Sequence, residues 1–217
     1  MKQNEAIETL NDIRDIMERS TKFLSLSGVS AILVGIYACA GVLVAARILG
    51  QPDTYHVRPD HVNTLRPLFA VSLTALAVLA ASLATVFALS YRKCKRAGEG
   101  PLVTPATRRL LWNFFLPLVA GGLFCASLLV HGHYGLTSSV MLLFYGLALV
   151  NASKYTYSNT RYLGYAEILL GLADSFAADY ALLFWGVGFG LFHIIYGVFF
   201  HLRIERRPGQ PAKRPRP

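Results

Sequence analysis

Apolar residues fall along this chain in six long runs separated by short polar segments, each run near or somewhat below the length that a membrane-crossing helix requires. About 20 mostly apolar residues span a bilayer as a helix. The runs cover residues 23–48, 67–91, 110–130, 136–152, 162–176 and 180–202. The fourth is short, and the fifth carries Glu167 and Asp174 inside it. This patterning predicts an all-α, polytopic transmembrane bundle of six helices. Residues 23–203 form the transmembrane domain, flanked by a cytoplasmic amphipathic helix in 1–22 and a basic cytoplasmic tail at 204–217.

Charge gives an independent test of the six spans. Lys and Arg accumulate in short cytoplasmic segments, and with both termini inside, 18 of the 21 basic residues fall on one side. Arg47, Arg58 and Arg66, around the first outer loop, are the exceptions. A fifth segment that did not cross would force the Arg-rich tail to the other side, so the sorting supports six crossings, N-in and C-in. It also removes the nucleic-acid reading that a net charge of +9 invites, because these charges follow topology instead of sharing one face. The composition agrees. With 54% apolar and 15% charged residues the chain is too poor in charge for an ordinary soluble domain, which carries about 25%.

The first 22 residues have no apolar h-region and contain five acidic residues, so no cleavable signal peptide is expected and the first span serves as the insertion signal. Residues 4–21 read as an amphipathic helix, with Ala6, Leu10, Ile13 and Met17 on one stripe. Five acids against Lys2, Arg14, Arg19 and Lys22 leave residues 1–22 at −1. That sign suits docking onto a partner helix or a second copy of the chain better than an anionic membrane surface. The tail, rich in Arg, Lys and Pro, reads as a disordered positive-inside anchor, with anionic lipid headgroups as an alternative partner.

Candidate chemistry is confined to a few residues. Small residues mark packing faces: Ser27, Ala31 and Gly35 repeat every four positions in the first span, and Gly186, Gly190 and Gly197 share a face in the last. His193 lies on that same face. Ionisable groups at membrane depth are costly and usually face the bundle interior. Glu167, Gly171 and Asp174 share one face of the fifth span. At about 1.5 Å per residue, Glu167 lies ~9 Å from Arg161, His193 ~15 Å from Arg203 and Tyr145 ~13 Å from Lys154. Tyr145, Glu167 and His193 are therefore placed to meet in the cytoplasmic half, with Asn151 and Tyr196 as flanking donors. Asp174 lies too near the outer surface to join them. Such a trio suits a ligand pocket or a proton relay, or simply satisfies three buried polar groups.

On the outer side His56, His61, His131 and His133 accompany Asp53, Asp60, Asp174 and Asp179. Imidazole and carboxylate can ligate transition metals, but the spacing matches no metal signature, so solvated loop residues are the simpler reading. Haem ligation by His193 would need an axial partner at similar depth, and His201 is ~12 Å further along the same helix. No cofactor is implied. Cys39, Cys94 and Cys125 form no CxxC pattern, and no GxSxG, HExxH or phosphate-binding glycine loop occurs. Pro117 is a candidate kink in the third span, and the one internal echo is Leu143-Phe-Tyr-Gly146 against Ile194-Ile-Tyr-Gly197.

The blocks Ser25-Leu-Ser-Gly-Val-Ser30, Ala152-Ser-Lys-Tyr-Thr156 and Gly188-Phe-Gly-Leu-Phe-His-Ile-Ile-Tyr-Gly197 resemble recurring blocks of an uncharacterised family of small multi-pass bacterial membrane proteins. The resemblance implies a bacterial cytoplasmic membrane and supplies no activity. The expected function is a non-enzymatic sensor or regulatory protein that binds a small or lipidic ligand among the last three helices. A proton-coupled transporter using Glu167 and His193 is the alternative, and a membrane-embedded metal or haem enzyme the third.

Overall fold

The computed structural model describes residues 27–50, 65–97 and 104–205. The amphipathic helix expected over residues 4–21, the loop bearing His56 and His61, and the basic tail beyond Glu205 lie outside the described residues. Among the described residues every regular element is helical. In chain order they are α1 Gly28–Ile48, α2 Leu65–Ala97, α3 Pro105–Val130, α4 Leu136–Ala152, α5 Thr160–Ser175, and α6, a continuous helical run over 178–205. Four of these, α1, α2, α3 and α6, are long and apolar enough to cross a membrane. The other two, α4 with 17 residues and α5 with 16, are shorter.

Local sequence sets the helix ends. The Ser27 side chain accepts from the Val29 N–H at 3.3 Å and caps α1, and α1 runs out at Gly50, whose φ of +70° disfavours an L side chain. Thr104 caps α3 by accepting from the Thr107 N–H at 3.2 Å, and Pro105 fills the first turn, where its missing N–H costs nothing. Gly132, at φ +79°, turns the chain from α3 towards α4.

Two helix pairs approach backbone to backbone, and they use the same register. In α1 and α6 a Cβ on Gly28 would stand 2.6 Å from the Gly197 carbonyl oxygen, and one on Gly35 would stand 2.6 Å from the Gly190 oxygen. In α4 and α5 a Cβ on Gly146 would stand 2.6 Å from the Gly164 oxygen, and one on Gly171 would stand 3.0 Å from the Ser139 oxygen. Both pairs run antiparallel with small residues seven apart. Four of the glycines also lie beside a β-branched residue of the facing helix: Ile32 at Gly197, Ile194 at Gly35, Ile168 at Gly146 and Val150 at Gly164. The tetrapeptide echo is thereby explained, since Gly146 and Gly197 each end it at such a contact. In the first span the contact runs through Gly28 and Gly35, whereas Ser27 serves as the cap and Ala31 is half-buried. Gly186 is the third small residue at the α6 contact, 3.1 Å from Val42 for an added Cβ.

The long α2 packs on α1, α3 packs on α4, and α6 joins the two glycine-paired units. Contacts between α2 and α3 are minor at most. Between them opens an apolar cleft of about 640 Å³, floored by α1, α4 and the first half of α6. Replacing Gly35 with Val should lower stability by about 2 kcal/mol or more, because the new methyl groups meet backbone that cannot yield. Gly122→Ala, with open space around its Cβ, should be neutral or stabilising by up to about 1 kcal/mol. Thermal unfolding of the two variants in detergent checks this, and equal melting temperatures would refute the packing argument.

Candidate functional site

The site starts from the irregular backbone of α6. After a 3-10 turn (Ala178–Tyr180) and a short α segment (Ala181–Trp185), residues Gly186–Phe192 form a π-helix before α geometry resumes at His193–Phe200. Three glycines, at 186, 188 and 190, allow this wider turn against close neighbours. A Cβ at Gly188 would collide with Leu142 and come within 2.5 Å of Glu167 Oε2. π segments inside helices often mark functional positions, because they swing side chains off the regular face.

Here the side chain is His193. Its Nδ1 lies 3.1 Å from the carbonyl oxygen of Gly188, which can only accept, so Nδ1 carries a proton. In the neutral ring Nε2 then accepts from the Tyr145 hydroxyl at 2.6 Å. Glu167 Oε1 stands 3.6 Å from Nδ1, close enough for electrostatic contact and too far for a hydrogen bond. Glu167 is completely buried, and neither of its oxygens has a hydrogen-bond partner among the described residues. Tyr145, Glu167 and His193 thus occupy one place, the imidazole between phenol and carboxyl.

The flanking residues go elsewhere. Tyr196 bonds the Thr160 hydroxyl at 3.0 Å, and Asn151 contributes its backbone carbonyl to the Lys154 N–H at 3.4 Å. Asp174, counted from sequence with the solvated outer carboxylates, is instead fully buried on the Glu167 face of α5. The hydroxyls of Ser138 and Ser139 are the polar groups facing it, yet none of these oxygens reaches hydrogen-bond geometry. Burial follows from the Gly171 contact, which presses this turn of α5 onto the first turn of α4. His131 and His133 remain exposed, and His131 Nδ1 is bonded to the Ser127 carbonyl at 2.8 Å. Among the described residues no three His, Cys, Asp or Glu side chains gather as a metal site.

The trio borders the cleft. Tyr145 forms part of its wall together with Phe114, Trp185 and Phe189. Tyr145 meets Phe114 edge-on at 6.1 Å and Phe189 at 5.1 Å between ring centres, and Trp185 meets Phe189 at 5.0 Å. Two hydroxyls on the wall, Ser82 and Ser138, are buried without hydrogen-bond partners. Sequence reasoning missed this cavity, whose signal lay in a 33-residue α2 too long and too apolar to need only one neighbour.

It also missed a polar clasp where α2 and α6 end. Glu205 accepts from Lys93 Nζ at 3.0 Å and pairs with His201 Nδ1 at 2.8 Å, tying the otherwise lightly held α2 to α6. Burial alone would raise the Glu205 carboxyl. The hydrogen bonds from His201 and Lys93, the Lys93 charge and Ser27 outweigh that and hold it below its ordinary value of 4.5. The spacing of His201 and Glu205, four apart on one helix, was the available signal.

No protein family, curated protein or solved structure matches this chain. The geometry is therefore the guide to function. Because the folded carboxyl is depressed, the clasp is at full strength above the unfolded carboxyl value and is lost as pH falls through the folded one. Nitroxides at Arg96 and Arg203 should give a narrow distance distribution at neutral pH that broadens only as pH falls below the ordinary carboxyl value of 4.5, and Glu205→Gln should broaden it already at pH 7. Identical distributions throughout would show that α2 is held by something else.

Proposed function

We infer that this is a multi-pass protein of a bacterial inner membrane, with six crossings and both ends in the cytoplasm, that binds an apolar molecule from the bilayer in the cleft and is not a catalyst. The observation that carries the reading is the cleft itself. It is large enough for a lipid-sized tail, its wall is apolar and aromatic, and a buried polar assembly, Tyr145 with His193 and Glu167, stands at that wall. Four helices with the length and composition of membrane spans support the setting, and the sorting of basic residues supports the orientation.

Occupancy is read through α2. A ligand between α2 and α3 changes how α2 rests on α1, and the Lys93–Glu205 clasp carries that change to the cytoplasmic end, beside the start of α1. Residues 4–21 precede α1 in the chain and supply the acidic segment that docks onto a partner or a second copy. Nucleic acid has no place in this scheme.

Protein extracted gently from membranes should carry an apolar molecule detectable by mass spectrometry, and Leu118→Trp, which fills the cleft, should reduce its occupancy at least about fivefold. Equal recovery from both proteins would overturn cleft binding. Reporter fusions within residues 98–103 and 153–158 should register as cytoplasmic, and one at 131–134 as external; the reverse pattern would invert the orientation.

One observation favours a second reading. Glu167 and Asp174, seven residues apart on one face of α5, are both fully buried with no hydrogen-bond partner among the described residues, an arrangement suited to carrying protons between two depths. In that case protein in liposomes should show substrate-dependent proton flux that Glu167→Gln reduces at least about tenfold. Flux absent, or indifferent to Glu167→Gln, removes the transporter.

A further inference from the structure

The cleft does not offer uniform oil. At its centre four aromatic rings, Phe114, Tyr145, Trp185 and Phe189, stand within stacking range of their neighbours, and a single hydroxyl among them is bonded to an imidazole. Phe189 continues the stack to the His193 ring, 6.3 Å away and inclined by 23°. An acyl chain gains nothing from ring geometry or from a polarised hydroxyl. A planar ring does, since offset and edge-on aromatic contacts add about 0.5–1.5 kcal/mol each beyond area burial.

From this we propose that the cleft's ligand is an apolar-tailed ring bearing oxygen, of the quinone and quinol class, with Tyr145 bonded to the ring oxygen. The proposal rests on the reading of the cleft as a binding site and specifies its occupant. The donor pattern carries it. With Nδ1 of His193 committed to the Gly188 carbonyl, Nε2 takes the Tyr145 proton, which leaves the Tyr145 oxygen lone pairs to accept from a ring hydroxyl. For a ring carbonyl the Tyr145 hydroxyl turns from Nε2 and donates its own proton to the ligand, exchanging one acceptor for another. One hydroxyl therefore serves both oxygen forms of the ligand, as a pure donor or acceptor could not. No electron transfer is assigned to the protein. The remainder of the cleft, lined by residues such as Leu79, Val86 and Leu118, takes the tail.

Trp185 on the wall provides the readout, and the other tryptophan, Trp112, is 70% exposed and outside the cleft. In the full chain with Trp112→Phe, reconstituted in nanodiscs, decyl-ubiquinone should quench Trp185 saturably, and decyl-ubiquinol should compete. Decylbenzene, with ring and tail but no oxygen, should compete at least about tenfold more weakly, a comparison that needs no substitution in the site. Tyr145→Phe should weaken decyl-ubiquinone about tenfold while leaving decylbenzene unchanged. Non-saturable quenching, or decylbenzene competing as well as the quinone, overturns the proposal. Brominated phosphatidylcholine separates the two levels. If it quenches Trp185 in a manner that Leu118→Phe alters while the quinone has no saturable effect, the cleft binds lipid chains and only the ligand class fails. If neither probe responds to the cleft, the binding reading fails with it.

Discussion

Backbone contact between glycines is the constraint on which the rest of this structure hangs. Where Gly28 faces Gly197 and Gly35 faces Gly190, and again where Gly146 faces Gly164 and Gly171 faces Ser139, no side chain separates the helices. In a bilayer, lipid tails compete on equal terms with apolar side chains, so burial of hydrocarbon does little to hold helices together. Close approach matters instead, because it multiplies dispersion contacts and brings polar groups within reach of each other. The two glycine-paired units are thus the firm part of the fold, and α6 belongs to one while packing on the other.

That tightness has consequences for charge. Pressing α5 against α4 and α6 leaves no room for water around Glu167 and Asp174, and both become fully buried. An unsatisfied buried polar group costs about 1–3 kcal/mol, so two such carboxyls are not what packing alone would select. The absence of a β-carbon at Gly188 is part of the same arrangement, since that space is occupied by Glu167 and Leu142. The π turn that accommodates it also sets the Gly188 carbonyl where His193 can bond it, which fixes the tautomer and aims Nε2 at Tyr145. Backbone irregularity, glycine content and the polar trio are one feature seen at three levels.

The outer helices follow the opposite rule. Neither α2 nor α3 is glycine-paired, each packs mainly on a single neighbour, and the space between them is the cleft. Local stability is lowest where contacts are few, so the wall formed by α2 is the natural moving part, fastened at one end by Lys93 and Glu205. A rigid polar centre beside a loosely held wall suits the proposed role of admitting a molecule from the side and responding to it.

Six helical segments, their ends within a few residues, and the candidacy of Tyr145, Glu167 and His193 were legible in the chain itself. Apolar run length, caps such as Ser27 and Thr104, and rise per residue are local quantities, and a buried carboxylate in a short helix stands out by its cost. Sequence also marked Gly35, Gly190 and Gly197, but placed the first-span contact at Ser27 and Ala31 where Gly28 takes it. A repeat of small residues gives a face, whereas the residue at closest approach depends on how the partner helix is rotated. Asp174 was misplaced for a related reason, since depth along a helix does not tell whether a neighbour covers its end. The cleft and the Lys93–Glu205 contact went unread because they belong to gaps and meetings between elements far apart in the chain, of which the length of α2 and the His201–Glu205 spacing are only partial local signs. The sequence by itself determined which segments are helices and which side chains are costly in lipid, because those depend on each residue and its near neighbours. Only the tertiary structure decided which costly groups share a site and where space is left, because both depend on the rotation and separation of whole helices.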